Sequence, residues 1–255
     1  MFPIRDHNPS GRTPVVTYAL ISANILIFIG TWGITESPYA FHAFYERYAL
    51  IPARPYPWSF LTSMFLHGGI LHLLGNMLFL WIFGDNLEDE MGHGGFALFY
   101  VACGVAAGIV HVALSFGSPV PTVGASGAIA GVMGGYLLLF PRARVDILLI
   151  FIIFFRIFTV PAWLMLAIWF GLQLMGAAAS DPTTGGIAYW AHAGGFVMGV
   201  VFTLPLWLRR GGPAFWQRTH GLPPHPAARV RRSDVPSVSR NKRHSRIPRV
   251  RRRRE

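Results

Sequence analysis

Six stretches of this sequence are apolar for long enough to cross a hydrocarbon layer as helix: near 15–34, 64–84, 95–116, 124–140, 160–178 and 187–208. A bilayer core about 30 Å thick needs roughly 20 helical residues to span it, and a backbone placed there must satisfy its own hydrogen bonds. The pattern predicts an all-α integral membrane protein, a six-transmembrane-helix bundle over residues 15–208. It lies between an N-terminal segment (1–14) and a C-terminal tail (209–255). Composition agrees, with 13% charged residues and a mean hydropathy of +0.43, against about 25% charged in an ordinary soluble domain. The first run is longer than the apolar part of a signal peptide and no small-residue cleavage motif closes it, so it reads as a span.

Segment 145–158 is apolar too, but it is short and carries Asp146 and Arg156. It reads as an interfacial or partly inserted connection rather than a seventh span. With six spans both ends share one side, and that side receives Arg5, Arg12, Arg142, Arg144 and the tail, which holds all fifteen Lys and Arg after position 208. The opposite loops hold Arg47 and Arg54. The bias of positive charge places both termini in the cytoplasm, with a plasma or inner membrane as the location. Residues 35–63 concentrate Tyr39, Phe41, Phe44, Tyr45, Tyr48, Tyr56 and Trp58, which favours the outer headgroup level. The tail alternates Arg with Pro, Ser and Gly and is expected to be a disordered basic arm. Anionic lipid is its favoured partner, at about 1 kcal/mol per basic residue near the surface, and nucleic acid is disfavoured. The single cysteine, Cys103, allows neither an internal disulfide nor a redox pair.

Strongly polar side chains inside apolar runs are costly and mark function. Three sets stand out. The second run holds His67, His72, Gly75 and Asn76; the fourth opens on Gly124, Ala125, Ser126 and Gly127; the sixth opens on Tyr189, Trp190, Ala191, His192, Ala193, Gly194 and Gly195. Runs two, four and six enter from the same side, so all three sets fall at similar depth. His72 and Asn76 are four apart and share a helix face. Ser126 falls in the first turn of its helix, where free N–H groups and the positive end of the dipole favour a developing anion. Gly127, Gly131 and Gly135 recur every four residues beside Ser126, and Gly195 and Gly199 follow His192 on its own face. Such spacing lets two helix backbones approach closely.

These types suit acyl transfer. His192 would take the Ser126 proton as the hydroxyl attacks a carbonyl, then return it to the leaving amine. Asn76, His72 and the Ser126 N–H would hold the oxyanion. No acid is embedded to orient His192, so the arrangement is a dyad whose tautomer must be fixed by ring packing or a backbone carbonyl. His67, five residues from His72, faces partly away and is given a structural role pinning the outer loop. Each element alone has a blander reading: Ser126 among glycines is ordinary helix packing, and His72 with Asn76 is interhelical glue. Their coincidence at one depth favours a site. A zinc hydrolase lacks its H-E-x-x-H and a nearby carboxylate here, so no metal site is expected. A transporter using His72 and His192 as a proton relay is the alternative from another class, though no inverted repeat is visible.

Over roughly residues 15 to 208 the chain resembles the rhomboid family of intramembrane serine proteases. The likeness rests on H-x-x-x-x-H-x-x-x-N from His67 to Asn76, G-x-S-G from Gly124 to Gly127, and A-H-x-x-G from Ala191 to Gly195, in the family's order. It implies a six-helix bundle with a water-filled cavity, cleavage of single-span transmembrane proteins near the membrane face, and no cofactor. It also implies Ser126 and His192 as the dyad, with His72 and Asn76 in the oxyanion hole. Catalytically inactive relatives lose the serine or the histidine; a non-catalytic, substrate-binding member is the remaining reading of the fold. Two positions depart from the family. Trp58-Ser59 stands where many members carry Trp-Arg, so an arginine brace for the first outer loop is missing or supplied by Arg54. Ala130 stands where some members carry a tyrosine that stacks on the histidine.

Overall fold

A computed structural model describes residues 2–151, 154–181 and 184–223. Apolar helices dominate it. Helix α1 is Val15–Thr31, followed by a 3-10 turn; α2 is Pro38–Tyr48 and α3 the single turn Ser59–Thr62. Helix α4, Ile70–Leu114, is continuous by hydrogen bonding but bends at Gly92 (φ 72°, ψ 163°), so its arms 70–91 and 93–114 form two apolar segments. Helix α5 is Ser126–Leu139, α6 Ala162–Ala179 and α7 Tyr189–Arg209. Among the described residues, four helices are long and apolar enough to cross a membrane: Val15–Ile34, Ile70–Leu114, Ala162–Ala179 and Tyr189–Arg209. Helix α5 is shorter, 14 residues, about 21 Å at the standard rise and less than the hydrocarbon thickness. Its burial explains how it tolerates that: Gly127–Tyr136 and Leu139 are all shielded by neighbouring helices. It is the axis of the bundle.

The end of the bundle away from Ser126 departs from an all-helical plan. Segment 145–158 is expected as an interfacial or partly inserted connection; its described residues, 145–151 and 154–158, lie instead in two antiparallel strands, β2 (Arg144–Phe151) and β3 (Phe154–Pro161), with β1 (Phe2–Asp6) pairing along β2. The run is rich in β-branched and aromatic residues, which favour a pleated, half-buried surface, with Val145 and Ile147 buried in the core. Asp146, the charge that argued against a seventh span, is buried and accepts bonds from Arg5 Nε (2.7 Å), His7 Nε2 (3.0 Å) and Thr159 Oγ1 (2.5 Å).

The acidic stretch near 84–94 is likewise structural. Helix α1 begins after Pro14 with no side-chain cap of its own. The buried Glu88 supplies one from a distance, accepting the Val16 N–H, Thr17 N–H and Thr17 hydroxyl at 2.8, 2.8 and 2.7 Å. Free N–H groups at a helix start need such a partner, and an anion there also suits the dipole. Asp89 accepts the Gly11 N–H at 2.8 Å, and Glu90 pairs with Arg210. The tail expected as disordered from 209 is helical over α8, Pro213–Thr219. Phe215 is buried and Trp216 Nε1 donates to the Leu138 carbonyl at 2.9 Å, so two aromatics anchor a sequence whose average polarity conceals them. Residues 224–255 of that basic arm lie outside the described residues.

In the 35–63 loop, α2 stacks Phe41 on Tyr45 with ring centroids 4.3 Å apart. Arg54 bonds to Glu46 at the end of α2, and the Arg47 guanidinium lies over the Trp58 ring, 5.6 Å from its centroid. Two arginines therefore brace the loop, Arg47 as well as the expected Arg54.

Asp6 is the weak point of this end. Tyr136 donates to the Asp6 carboxylate at 2.7 Å, yet burial, with Asp85 adding to it, pushes Asp6 up to about 7. A folded value above the ordinary aspartate value favours the docked segment at low pH, and that contribution is lost as pH rises from 3.8 through about 7. Amide exchange over residues 2–8, corrected for intrinsic chemistry, should therefore accelerate across that window, and Asp6→Asn should flatten the dependence; a pH-independent exchange pattern would contradict the assignment.

Candidate active site

Glycines set how close the two central helices come. A methyl group built on Gly195 of α7 would overlap the Gly127 carbonyl oxygen of α5, and one on Gly199 would overlap that of Gly131. One turn further on, a methyl on Gly135 would sit 2.6 Å from Thr203 Oγ1. The ladder 127/195, 131/199 and 135/203 advances by four residues on each helix, so it follows one face of both. Ser126 and His192 lie just before its first rung, Ser126 as the first residue of α5 and His192 in the first turn of α7.

That registry brings the pair into hydrogen-bond distance. His192 Nε2 lies 2.7 Å from Ser126 Oγ, inside the reach required of a base and a nucleophile. On the ring's other side Nδ1 lies 2.8 Å from Gln173 Oε1 of α6, and the Trp169 ring packs 6.0 Å away at 31°. The ring packing that the sequence calls for is thus supplied by Trp169, and the Gln173 amide stands where a backbone carbonyl is the other expectation. Ala130, the position without that aromatic, is fully buried in the core instead.

His72 and Asn76 rise from the first arm of α4 to the same place. A Cβ on Gly124 would stand 2.7 Å from His72 Nε2 and 3.5 Å from Asn76 Nδ2, and Gly124 holds φ at +128°. Glycine is needed there on both counts. The bend carries the chain past His72 and Asn76 into Ser126, whose N–H is among the unpaired donors of a helix's first turn. His67 does not face away. It precedes the helix, its ring stands 5.1 Å from that of His72, and its Nε2 meets Asn76 Nδ2 at 2.9 Å. One amide N–H of Asn76 is thus held by His67 while the second stays available. Tyr45 donates to the His67 carbonyl at 3.2 Å, which ties the outer loop to the same point.

These groups line an open cavity of about 1080 Å³ that includes His72, Asn76, Ser126 and His192. His111 also lines it, bonded to Thr122 Oγ1 at 2.9 Å. Reasoning by motif does not find His111 or Gln173. Their common signal is that each is strongly polar inside an apolar run, the third and the fifth. Among the described residues no three His, Cys, Asp or Glu side chains converge as a metal site. Chemically, the cavity offers a hydroxyl, an imidazole within reach of it, and amide and imidazole donors facing the turn before that hydroxyl.

Comparison with known proteins gives this arrangement a context. Residues 54–209 match the rhomboid domain. The chain is 39% identical over 129 residues to the rhomboid protease GluP of Bacillus subtilis, covering 49% of this chain and 24% of that protein. It is 31% identical over 194 residues to the mitochondrial rhomboid protein 1 of Saccharomyces cerevisiae, covering 73% of this chain and 52% of that one. To the human presenilin-associated rhomboid-like protein, also mitochondrial, it is 30% identical over 190 residues, 71% of this chain and 45% of that protein. The chain thus spans between 24% and 52% of the length of these relatives.

Gly195→Ala should force α5 and α7 apart at the first rung. Overpacking of this kind costs about 1–3 kcal/mol or more, readable as a lower midpoint in detergent unfolding; an unchanged midpoint would show that the two backbones are not in contact there.

Proposed function

The chain belongs to the rhomboid family, and on that premise we propose that it is an intramembrane serine protease that hydrolyses peptide bonds in or beside transmembrane segments of other membrane proteins. It is a multi-pass membrane protein. In this reading six apolar helical segments cross the bilayer, both termini are cytoplasmic and the membrane is a plasma or inner membrane, with the basic tail drawn to anionic lipid. The 2.7 Å approach of His192 Nε2 to Ser126 Oγ carries the reading.

The reaction divides into two acyl-transfer steps. Ser126 Oγ attacks the scissile carbonyl carbon while its proton passes to His192 Nε2. The carbonyl oxygen gains the negative charge, and His72, the free N–H of Asn76 and the Ser126 N–H are placed to receive it; donors fixed beforehand cost no reorganisation at that moment. His192 then protonates the amine, the C–N bond breaks, and an acyl-enzyme on Ser126 remains. Water from the open cavity hydrolyses that ester by the same proton transfers in reverse roles. The neutral relay needs no cofactor, and the glycine ladder keeps the two reacting atoms in register through both steps.

Reconstituted with a single-span reporter, the protein should cleave it. Ser126→Ala and His192→Ala should each reduce cleavage to background while the protein still inserts, and Asn76→Ala should cost about 10²–10³-fold, as for one lost oxyanion donor. Cleavage that persists in Ser126→Ala or in His192→Ala contradicts the dyad.

A further inference from the structure

We infer that Gln173 is the positioning residue that sets the tautomer of His192, a role that rests on the dyad reading and adds a third member to it. An amide is asymmetric, with a donating end and an accepting end. Trp169 and Gln173 are four apart on α6 and share a face. Gln173 is buried, and its Nε2 donates to the Trp169 carbonyl one turn back at 3.3 Å. A carbonyl accepts only, so the nitrogen end is committed there and the oxygen end is what faces α7. Flipping the amide would set two carbonyl oxygens against each other and strand a buried group without its partner, a loss of about 1–3 kcal/mol.

The oxygen end meets His192 Nδ1 at 2.8 Å. Only a protonated Nδ1 can donate to it. In a neutral imidazole the other nitrogen then carries the lone pair, and that nitrogen is the one 2.7 Å from Ser126 Oγ. A chain of directed bonds therefore runs from the Trp169 carbonyl through Gln173 and His192 to Ser126, and each link leaves the next only one orientation. Gln173 performs the orienting task that a buried carboxylate performs in a serine triad. Being neutral, it adds no buried charge beside the ring, where an unpaired anion would be expensive. Trp169 completes the support by packing on the ring and by supplying the carbonyl that fixes the amide.

The closing experiment reads the tautomer apart from activity. In protein with ¹⁵N-labelled histidine, the His192 signals, assigned by their loss in His192→Ala, should show Nδ1 protonated and Nε2 bare. Gln173→Leu should erase that preference, and Gln173→Glu, which keeps an acceptor at the same place, should keep Nδ1 protonated. In parallel, Gln173→Leu should lower kcat for the reporter by about 10²-fold, the lower range for general acid–base catalysis, with KM within about threefold. A bare Nδ1 in the parent protein, or a Gln173→Leu protein with unchanged tautomer and kcat, overturns the inference. A Gln173→Leu protein whose kcat falls only in step with its folded fraction also overturns it, since that is a structural role. Cleavage that survives Ser126→Ala is the separate failure, of the dyad itself, and leaves the tautomer measurement standing.

Discussion

The contact between α5 and α7 is what the rest of the molecule depends on. Where Gly127 and Gly131 meet Gly195 and Gly199 there is no room for even one methyl group, so the two backbones lie as close as helices can. A van der Waals contact of that kind fixes separation and axial register together, because sliding by one residue replaces a glycine with a side chain. Register is the property the site needs. Ser126 and His192 are each one short step from the first rung, and their hydrogen bond follows from the ladder with little freedom left over.

Two other helices serve that pair from different sides. The first arm of α4 brings His72 and Asn76 to the Gly124 bend, with His67 holding one hydrogen of the amide. Helix α6 brings Gln173 and Trp169 to the far side of the imidazole. At the opposite end of the bundle the charges perform a mechanical task. Glu88 caps α1, Asp89 holds Gly11, and Asp146 gathers Arg5, His7 and Thr159 into a small sheet. Glu88 takes three donors from Val16 and Thr17 and meets His93 Nδ1 as well, which supplies the acceptor that the start of α1 needs. Polar groups at the two ends are thus divided between an open cavity and a closed clasp, with the glycine ladder between them.

Much of this was legible because period and depth are one-dimensional quantities. Four-residue glycine spacing beside Ser126 and after His192 implied a close helix pair, and the alternation of spans put three polar sets at one level. Other features depend on which faces meet, which no single segment encodes. Gln173 was readable as a polar residue in an apolar run, but its link to His192 exists only through the rotation of α6 against α7. Glu88 gives no local sign of its task, because the helix start it caps is some seventy residues earlier in the chain. Segment 145–158 lacked a strand's alternation clear enough to override its length and apolarity, and its pairing with residues 2–6 is non-local. The tail misled through averaging: Phe215 and Trp216 anchor α8 within a stretch whose composition is otherwise polar.

The central claim is that Ser126 is a nucleophile made reactive by His192. Its most direct test is covalent labelling with a fluorophosphonate, which reacts with an activated serine and needs no knowledge of the natural substrate. The account predicts, after digestion and mass spectrometry, a single phosphonyl adduct on the peptide containing Ser126, and none when His192→Ala protein is treated alike. An unlabelled Ser126 in folded, membrane-inserted protein, or equal labelling without His192, would contradict it.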